Sequence, residues 1–207
     1  MKTKWTNPKA LLLLAAFAGV LSLFGAASSA HAANLIQNGD FASGDILPGW
    51  TESGDMSATQ VNTSIPGLGT SPPSGLVYLL SAGSPENTYL TQSFSDVAGQ
   101  RYNASALLAA FGDNPSFFGL SVTQTGTSNL LGSVSLTNPD TGGAWTPESF
   151  SFIGTGNDTL TLTTADAVWY LGVAGVSVTA PGPIPGAGVA GLAALTFFGL
   201  YARQRRA

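Results

Sequence analysis

Carboxylates are the side chains with which this sequence could do acid–base chemistry. Eleven Asp and Glu residues occur, all between positions 40 and 166. Four of them, Asp40, Asp45, Glu52 and Asp55, are close together in the sequence. Two suitably spaced carboxylates are enough to hydrolyse a glycosidic bond, although none of these acids lies in a glycosidase signature. A carboxylate-dependent glycosidase is therefore one open interpretation.

The central part of the chain lacks the side chains needed for other kinds of catalysis. There is no Cys, the one His is His31, and six of the seven Lys and Arg residues lie in the first nine or last five positions. Arg101 is the exception. Ser-His-Asp and Cys-His catalysis, zinc sites and lysine Schiff bases are thereby excluded. We predict a non-enzymatic protein, and its acidity argues against binding nucleic acid.

Aromatic residues beside polar turns are candidates for sugar recognition. Sugar sites combine exposed aromatic rings with polar groups that fix orientation. Phe117 and Phe118 are adjacent, so a strand would turn one ring towards the core and the other outwards. For each aromatic ring the alternative is ordinary packing in the core or at an edge. The predicted ligand-binding residues are Asp113, Asn114, Phe117 and Trp145.

Alternating apolar residues predict that these side chains are held by β-strands. Residues 159–163 read Thr-Leu-Thr-Leu-Thr, and positions 102, 104, 106 and 108 are apolar on one face. In 171–178 the alternation changes phase at Gly175, which predicts a β-bulge. Turn-forming Gly, Pro, Asn and Asp residues separate the runs, a pattern typical of a sandwich. Further strands are predicted at 57–62, 76–80, 118–123, 130–136 and 171–178.

The first 32 residues have the three-part layout of a secretory signal peptide. Three lysines precede an apolar run at 10–27, and Ala30 and Ala32 occupy the positions that signal peptidase reads. We predict a signal-peptide helix and cleavage after Ala32. A retained membrane anchor is the alternative.

A second apolar run, 186–202, lies near the other end of the chain. As a helix it would be about 25 Å long, close to the hydrocarbon thickness of a bilayer. Arginines follow directly. Because basic residues stay on the cytoplasmic side of a membrane, the preceding domain is expected on the opposite side. The predicted segments are a signal peptide (1–32), a β-sandwich domain (33–179), a Pro/Gly linker (180–185), a transmembrane helix (186–202) and a basic tail (203–207).

The opening of the central domain resembles the galactose-binding-like and carbohydrate-binding-module jelly rolls. The motif Asn34-Leu-Ile-Gln-Asn-Gly-Asp-Phe41, followed by Pro48-Gly49-Trp50, is similar to their first strand and Gly-Trp turn. The stretch from Gln92 to Tyr102 and the stretch from Tyr170 to Val178 look like their central and closing strands. The resemblance implies an all-β jelly-roll β-sandwich.

In such jelly rolls a structural calcium often lies between the first and last strands. Here Ala42 stands where a Glu is usual, and Ala174-Gly175 replaces a pair of acidic or amide residues. Calcium needs several oxygen ligands, so we predict no cofactor. Asp40 is the surviving candidate metal ligand, and its alternative role is to stabilise a turn.

The C-terminus is similar to the PEP-CTERM sorting signal, which joins a proline motif, a hydrophobic helix and a basic cluster. A Pro-Gly-Pro motif replaces the usual Val-Pro-Glu-Pro. The resemblance implies processing by an exosortase-like enzyme, transient anchoring in the inner membrane, and a final place at the cell surface or in an exopolysaccharide matrix. The residues of the signal are Pro181, Gly182, Pro183, Pro185, Arg203, Arg205 and Arg206.

The favoured function is that of an exported, surface-sorted, non-catalytic protein of the extracellular or biofilm matrix. It would associate weakly with polysaccharide through its acidic, hydroxyl-rich domain. A structural or adhesive surface protein without a sugar ligand is the alternative, and the glycosidase is a third reading.

Overall fold

The computed structural model of the chain describes residues 33–46, 49–57, 59–63, 72, 77–81, 84–168 and 170–182. All ten strands belong to one unit, Ala32–Pro181. The predicted signal peptide, the apolar segment 186–202 and the basic tail lie outside the described residues. In the ranges just given, no helix has the length and apolarity needed to cross a membrane.

Ten strands follow one another along the chain. They are β1 (Thr51–Gly54), β2 (Thr59–Asn62), β3 (Val77–Ser81), β4 (Ser84–Ser95), β5 (Arg101–Ala109), β6 (Ser116–Gln124), β7 (Leu130–Thr137), β8 (Thr146–Ile153), β9 (Asn157–Asp166) and β10 (Tyr170–Thr179).

The strands form two five-stranded antiparallel sheets in a jelly-roll β-sandwich, which confirms the predicted fold class. Sheet A has the order β1-β4-β9-β6-β7, and sheet B has the order β2-β3-β10-β5-β8. Nearly every neighbour in a sheet is distant in sequence, so the functional surfaces are assembled from separate segments. The strands predicted by alternation are all present, whereas β1, whose four residues are all exposed, was not predicted.

The core between the sheets is built from the apolar positions of each alternating strand. In sheet A, Leu90, Leu162 and Leu120 lie side by side across three strands and are fully or almost fully buried. In sheet B the predicted inward face of β5, from Tyr102 to Leu108, is buried. Burying each leucine contributes about 1.5–3 kcal/mol. The alternate residues of the same strands must therefore face outwards, and these outer faces are where ligands can approach.

The bulge predicted at Gly175 is present. The pairing of β10 with β5 shifts between Ala174 and Ser177, and Gly175 has a φ of 60°. A bulge inserts an extra residue, so the apolar face of β10 changes phase while Val173 and Val176 both stay in the core.

The segment that resembles an opening strand, 34–41, forms turns instead. Asn38 and Phe41 have positive φ values of 50° and 54°, which an extended strand does not allow. The segment still binds β10: the Leu35 amide donates to the Val178 carbonyl and the Val176 amide donates to the Gly39 carbonyl. The expectation of a regular strand here was wrong, although the expected contact with the last strand exists.

Two ends of the sandwich matter for the sites below. The β5–β6 end holds the loops 110–115 and 138–145, together with the end of β9 at Asp166. The β8–β9 end holds the loops 96–100 and 154–156, together with the start of β9 at Asn157.

Candidate functional site

The four predicted ligand residues do not share one surface. Phe117 lies on β6, and its neighbour Phe118 is fully buried, so Phe117 is on the outer face of sheet A. Trp145 precedes β8 and packs against the outer side of sheet B. Asp113 and Asn114 lie in the loop between β5 and β6. Of the adjacent pair Phe117 and Phe118, Phe117 is the one that faces outwards, and the four predicted residues lie on two different sheets and a connecting loop.

Trp145 belongs to an apolar cluster on sheet B. Ala109 and Ala174 are fully buried at its centre, and partly buried aromatic rings pack over them. The indole N–H of Trp145 is buried without a hydrogen-bond partner. The ring of Trp145 is partly buried and packs over these alanines as part of the fold. The other members of the cluster are Leu107, Phe111 and Tyr170.

Asp113 is held at the β5–β6 end. Its carbonyl accepts a hydrogen bond of 2.6 Å from the Ser116 hydroxyl, and its carboxylate Oδ2 is buried without a partner. Burial raises the pKa of the Asp113 carboxyl, and the charges of Asp166 and Asp140 raise it further. Asn114, next in the chain, is exposed and joined to Pro115 by a cis peptide bond.

The outer face of sheet A is a surface of hydroxyl groups. One row crosses all five strands in register, and every member is Ser or Thr. Further hydroxyls lie beside it on the same face, where Thr159 shares hydrogen bonds of 2.9 Å with Ser93 and with Thr125. Serine and threonine hydroxyls both donate and accept, so the surface matches the hydroxyls of a sugar. The row is Thr51, Thr91, Thr161, Ser121 and Ser133.

Two aromatic rings lie on this face. Tyr89 of β4 pairs with Thr163 of β9, which pairs in turn with Gly119 of β6. The Tyr89 hydroxyl accepts a hydrogen bond of 3.1 Å from the Asn87 amide. The ring of Phe117 lies against Gly119: a Cβ placed there would be 3.0 Å from its Cε1 atom. Both rings are half-buried.

Tyr89 was not among the predicted ligand residues. Alternation within β4 places it opposite the buried Leu90 and Phe94, on the outer face, but its relation to Phe117 depends on β9 lying between β4 and β6. That neighbourhood joins segments about 30 residues and more apart, and no local pattern reveals it.

The outer face of sheet A has no charged side chain among the described strand residues. The outward positions of the strands are Ser, Thr, Asn, Gly, Ala, Leu, Tyr and Phe. Arg101, the one Lys or Arg between positions 10 and 202, is on β5 in sheet B. The outward side chains of the described strands can therefore stack and hydrogen-bond, and no Asp, Glu, His, Lys or Arg is among them.

A buried carboxyl pair occupies the β8–β9 end. Asp158 is fully buried, and both its oxygens accept hydrogen bonds from Thr155. Asp96 accepts from the Gly156 amide. Burial raises the pKa of Asp96 to about 6, and the adjacent Asp158 carboxyl contributes further. Because these bonds join the loops at 96–100 and 154–156, the pair has an evident structural role.

Asp40, the candidate metal ligand, lies in the turn segment at the start of the domain. Asp40 is exposed, and its Oδ1 accepts a 3.2 Å hydrogen bond from the Ala42 amide, as in an Asx turn. Within the described ranges no three His, Cys, Asp or Glu residues are grouped as a metal site. Asp40 therefore has the turn-stabilising contact that was its alternative role.

Of the predicted sorting residues, Pro181 and Gly182 are described, and both are exposed beyond the end of β10. The remaining ones lie outside the described residues: Pro183, Pro185, Arg203, Arg205 and Arg206, as do Ala30 and Ala32 of the cleavage site.

Comparisons with known proteins establish the fold. No protein-family model matches the chain, and no curated protein matches it. Among solved structures, a family 61 carbohydrate-binding module in complex with β-1,4-galactotriose is similar, with a TM-score of 0.58 and 19% identity. That match covers 72% of this chain and 99% of the module.

Two further solved structures share the architecture. A family 16 carbohydrate-binding module has a TM-score of 0.50 and 16% identity, over 70% of this chain and 99% of the module. The enzymatically active domain of tailspike protein 4 of bacteriophage CBA120 has a TM-score of 0.54 and 14% identity, over 71% of this chain but 21% of that protein. The domain therefore has the jelly-roll fold of carbohydrate-binding modules.

Proposed function

We propose that this protein is a non-catalytic carbohydrate-binding protein and that the outer face of sheet A is its binding surface. The observation that carries the proposal is a charge-free, five-stranded row of hydroxyls flanked by the rings of Tyr89 and Phe117. Aromatic rings stack on the apolar faces of sugars, and hydroxyls fix the orientation of the sugar. The similarity to modules that include one in complex with a galactotriose supports the same interpretation.

Affinity should be weak for a single site. The surface is open, and the aromatic anchors on it are two half-buried rings. Binding energy is concentrated in such anchors, and surrounding polar contacts contribute little. A protein of this kind would hold polysaccharide by many weak contacts along a matrix.

The direct test is binding of the full-length chain to a glycan array, followed by titration with the best glycan. We expect binding that is lost in Tyr89→Ala and retained in Thr179→Val, a variant on the outer face of sheet B. A chain that binds no glycan would refute the proposal and favour a structural or adhesive role. Hydrolysis of a bound glycan would instead support the alternative of a carboxylate-dependent glycosidase.

We also propose that the chain is exported, anchored transiently by residues 186–202 and then released to the cell surface or matrix by an exosortase-like enzyme. The sequence pattern of the two ends supports this. Mass spectrometry of the mature protein tests it: cleavage after Ala32 and loss of Arg203 are expected. A mature product that keeps Arg203 to Arg206 would contradict tail processing.

A further inference from the structure

Gly119 is an unusual position on the binding surface. The outward residues of β6 are 117, 119, 121 and 123, and of these Gly119 alone is buried. What covers it is the ring of Phe117: a Cβ built on Gly119 would lie 3.0 Å from Cε1 and 3.3 Å from Cζ of that ring. The ring of Phe117 therefore lies along the strand, over Gly119.

Across the strand, Thr163 closes the same space. Its Cβ would be 3.6 Å from a Cβ on Gly119, and the two residues are register partners. Any side chain at position 119 would thus meet the phenyl ring on one side and Thr163 on the other. The backbone of Gly119 has no positive φ, so its conformation alone would allow other residues. Glycine is needed at position 119 because a side chain there would collide with the ring of Phe117.

We propose that Gly119 is a positioning residue that lays the ring of Phe117 flat on sheet A and so makes it a stacking platform for one sugar ring. This inference rests on the proposed function of the same face. A phenyl ring that lies on a sheet exposes its π-face, whereas a ring that stands upright exposes its edge. Sugar stacking needs the face.

The position of Tyr89 sets the direction of the ligand. Tyr89 and Gly119 lie in one register row with Thr163 between them. Neighbouring strands are about 4.8 Å apart, so the two sites are separated by roughly 10 Å at right angles to the strands. The geometry fits a glycan segment that crosses the strands, with one sugar near each aromatic ring and the Thr163 hydroxyl between them.

The chemistry of the ligand follows from charge. A uronate or sulfated chain would require basic side chains, and the described strand residues of this face have none. The eleven acids of the domain would repel such a chain. The segment selected by Phe117 and Tyr89 is therefore a neutral glycan.

Gly119→Ala tests the proposal in the full-length chain. The added methyl group displaces the ring, and we expect affinity for a neutral glycan to fall by about tenfold or more, as in Phe117→Ala. Nuclear Overhauser contacts between the Phe117 ring and the Gly119 Hα protons should be present in the wild type. The contacts from the ring to the Hα proton of residue 119 should weaken in the variant.

Gly132→Ala is the matched control. Gly132 lies on the adjacent strand β7, where a Cβ would meet the ring of Phe150 at 2.6 Å on the core side. This variant should lower the melting temperature and keep glycan affinity, so a loss of affinity in Gly119→Ala is not a consequence of lower stability.

Three results would overturn the inference. If Gly119→Ala binds as tightly as the wild type while Tyr89→Ala binds weakly, Gly119 has no positioning role and the proposed function stands. Absent contacts between the Phe117 ring and Gly119 would refute the flat platform. If the wild type binds an anionic glycan and no neutral one, the assigned ligand class is wrong.

Discussion

The two outer faces of the sandwich use aromatic residues in opposite ways. On sheet B, Trp145 packs over the buried Ala109 and Ala174, and its N–H is enclosed. On sheet A, Phe117 lies over Gly119 among hydroxyls. The residue types are similar, and the neighbours beneath the rings differ. An aromatic residue near polar turns is therefore not a sign of a ligand site until its underlying residues are known.

Among variants that distinguish the two faces, Trp145→Ala should cause the largest change, a loss of unfolding free energy. Removing a large aromatic side chain from a packed cluster costs about 3 kcal/mol of unfolding free energy, at the low end of values for full burial. Chemical denaturation measures this loss, and glycan affinity should be unchanged. If Trp145→Ala abolished glycan binding in a protein that is still folded, sheet B would be a binding surface and the contrast would fail.

A second test compares stability with binding as pH changes. The pKa of Asp96 in the folded state is about 6, above its ordinary value of 3.8, so the folded protein holds this proton more tightly than the unfolded one. The stability gained is present below pH 4 and is lost as the pH rises through about 6. Because Asp96 is only partly buried and solvent screens its charge, the loss is on the order of 1 kcal/mol, well below the full equivalent of the change in pKa. Glycan affinity should stay constant, because the described strand residues on the outer face of sheet A, the proposed binding face, present no carboxylate.

Asp96→Asn identifies the group responsible. Its side-chain oxygen can still accept from the Gly156 amide, while its amide can donate to Asp158. Unfolding measured from pH 4 to pH 8 should show a smaller pH dependence and higher stability at pH 8 than the wild type. The part due to Asp113, whose pKa is also raised, should remain. An unchanged pH profile would show that Asp96 is not the titrating group.

A smaller effect is expected from the hydroxyl row alone. Thr161→Val keeps the shape of the side chain and removes one hydroxyl from the centre of sheet A, so affinity should fall by about 0.5–1.5 kcal/mol. The same change in Thr179→Val, on sheet B, should leave affinity unchanged. Equal effects of the two variants in calorimetric titration would show that the hydroxyls of sheet A have no special role.

The smallest expected effect is that of salt. Because the strand residues of the binding face carry no charge, raising NaCl from about 0.05 M to 1 M should change glycan affinity less than twofold. A steep salt dependence would indicate that charged groups near the face, such as those of the β5–β6 end, contribute to binding.

Local patterns were sufficient to predict much of the fold. Residues 159–163 alternate because β9 has one face in the core, and Gly175 marks the change of phase in β10. The turn at Asn38 and Phe41 was not predictable from the resemblance, since both residues are held by Trp50: its N–H donates to the Asn38 carbonyl and its ring stacks on Phe41.

The binding face was harder to predict than the strands. Phe117 was recognised from its adjacency to Phe118, because two successive strand residues must point in opposite directions. The spatial relation between Tyr89 and Gly119 depends on β9, which lies between their strands. Pairing between distant segments is decided by the packing of the whole sandwich, and the sequence near each residue does not indicate it.

Because Arg101 is isolated in the sequence, we expect the sandwich to resist proteolysis. Proteases that cut after Lys or Arg find one such residue between positions 10 and 202, and it begins β5, a strand paired on both sides. Cleavage there requires local opening of sheet B, which a well-packed strand seldom undergoes. We expect the sandwich to survive trypsin as one fragment, which would suit the exported protein proposed above.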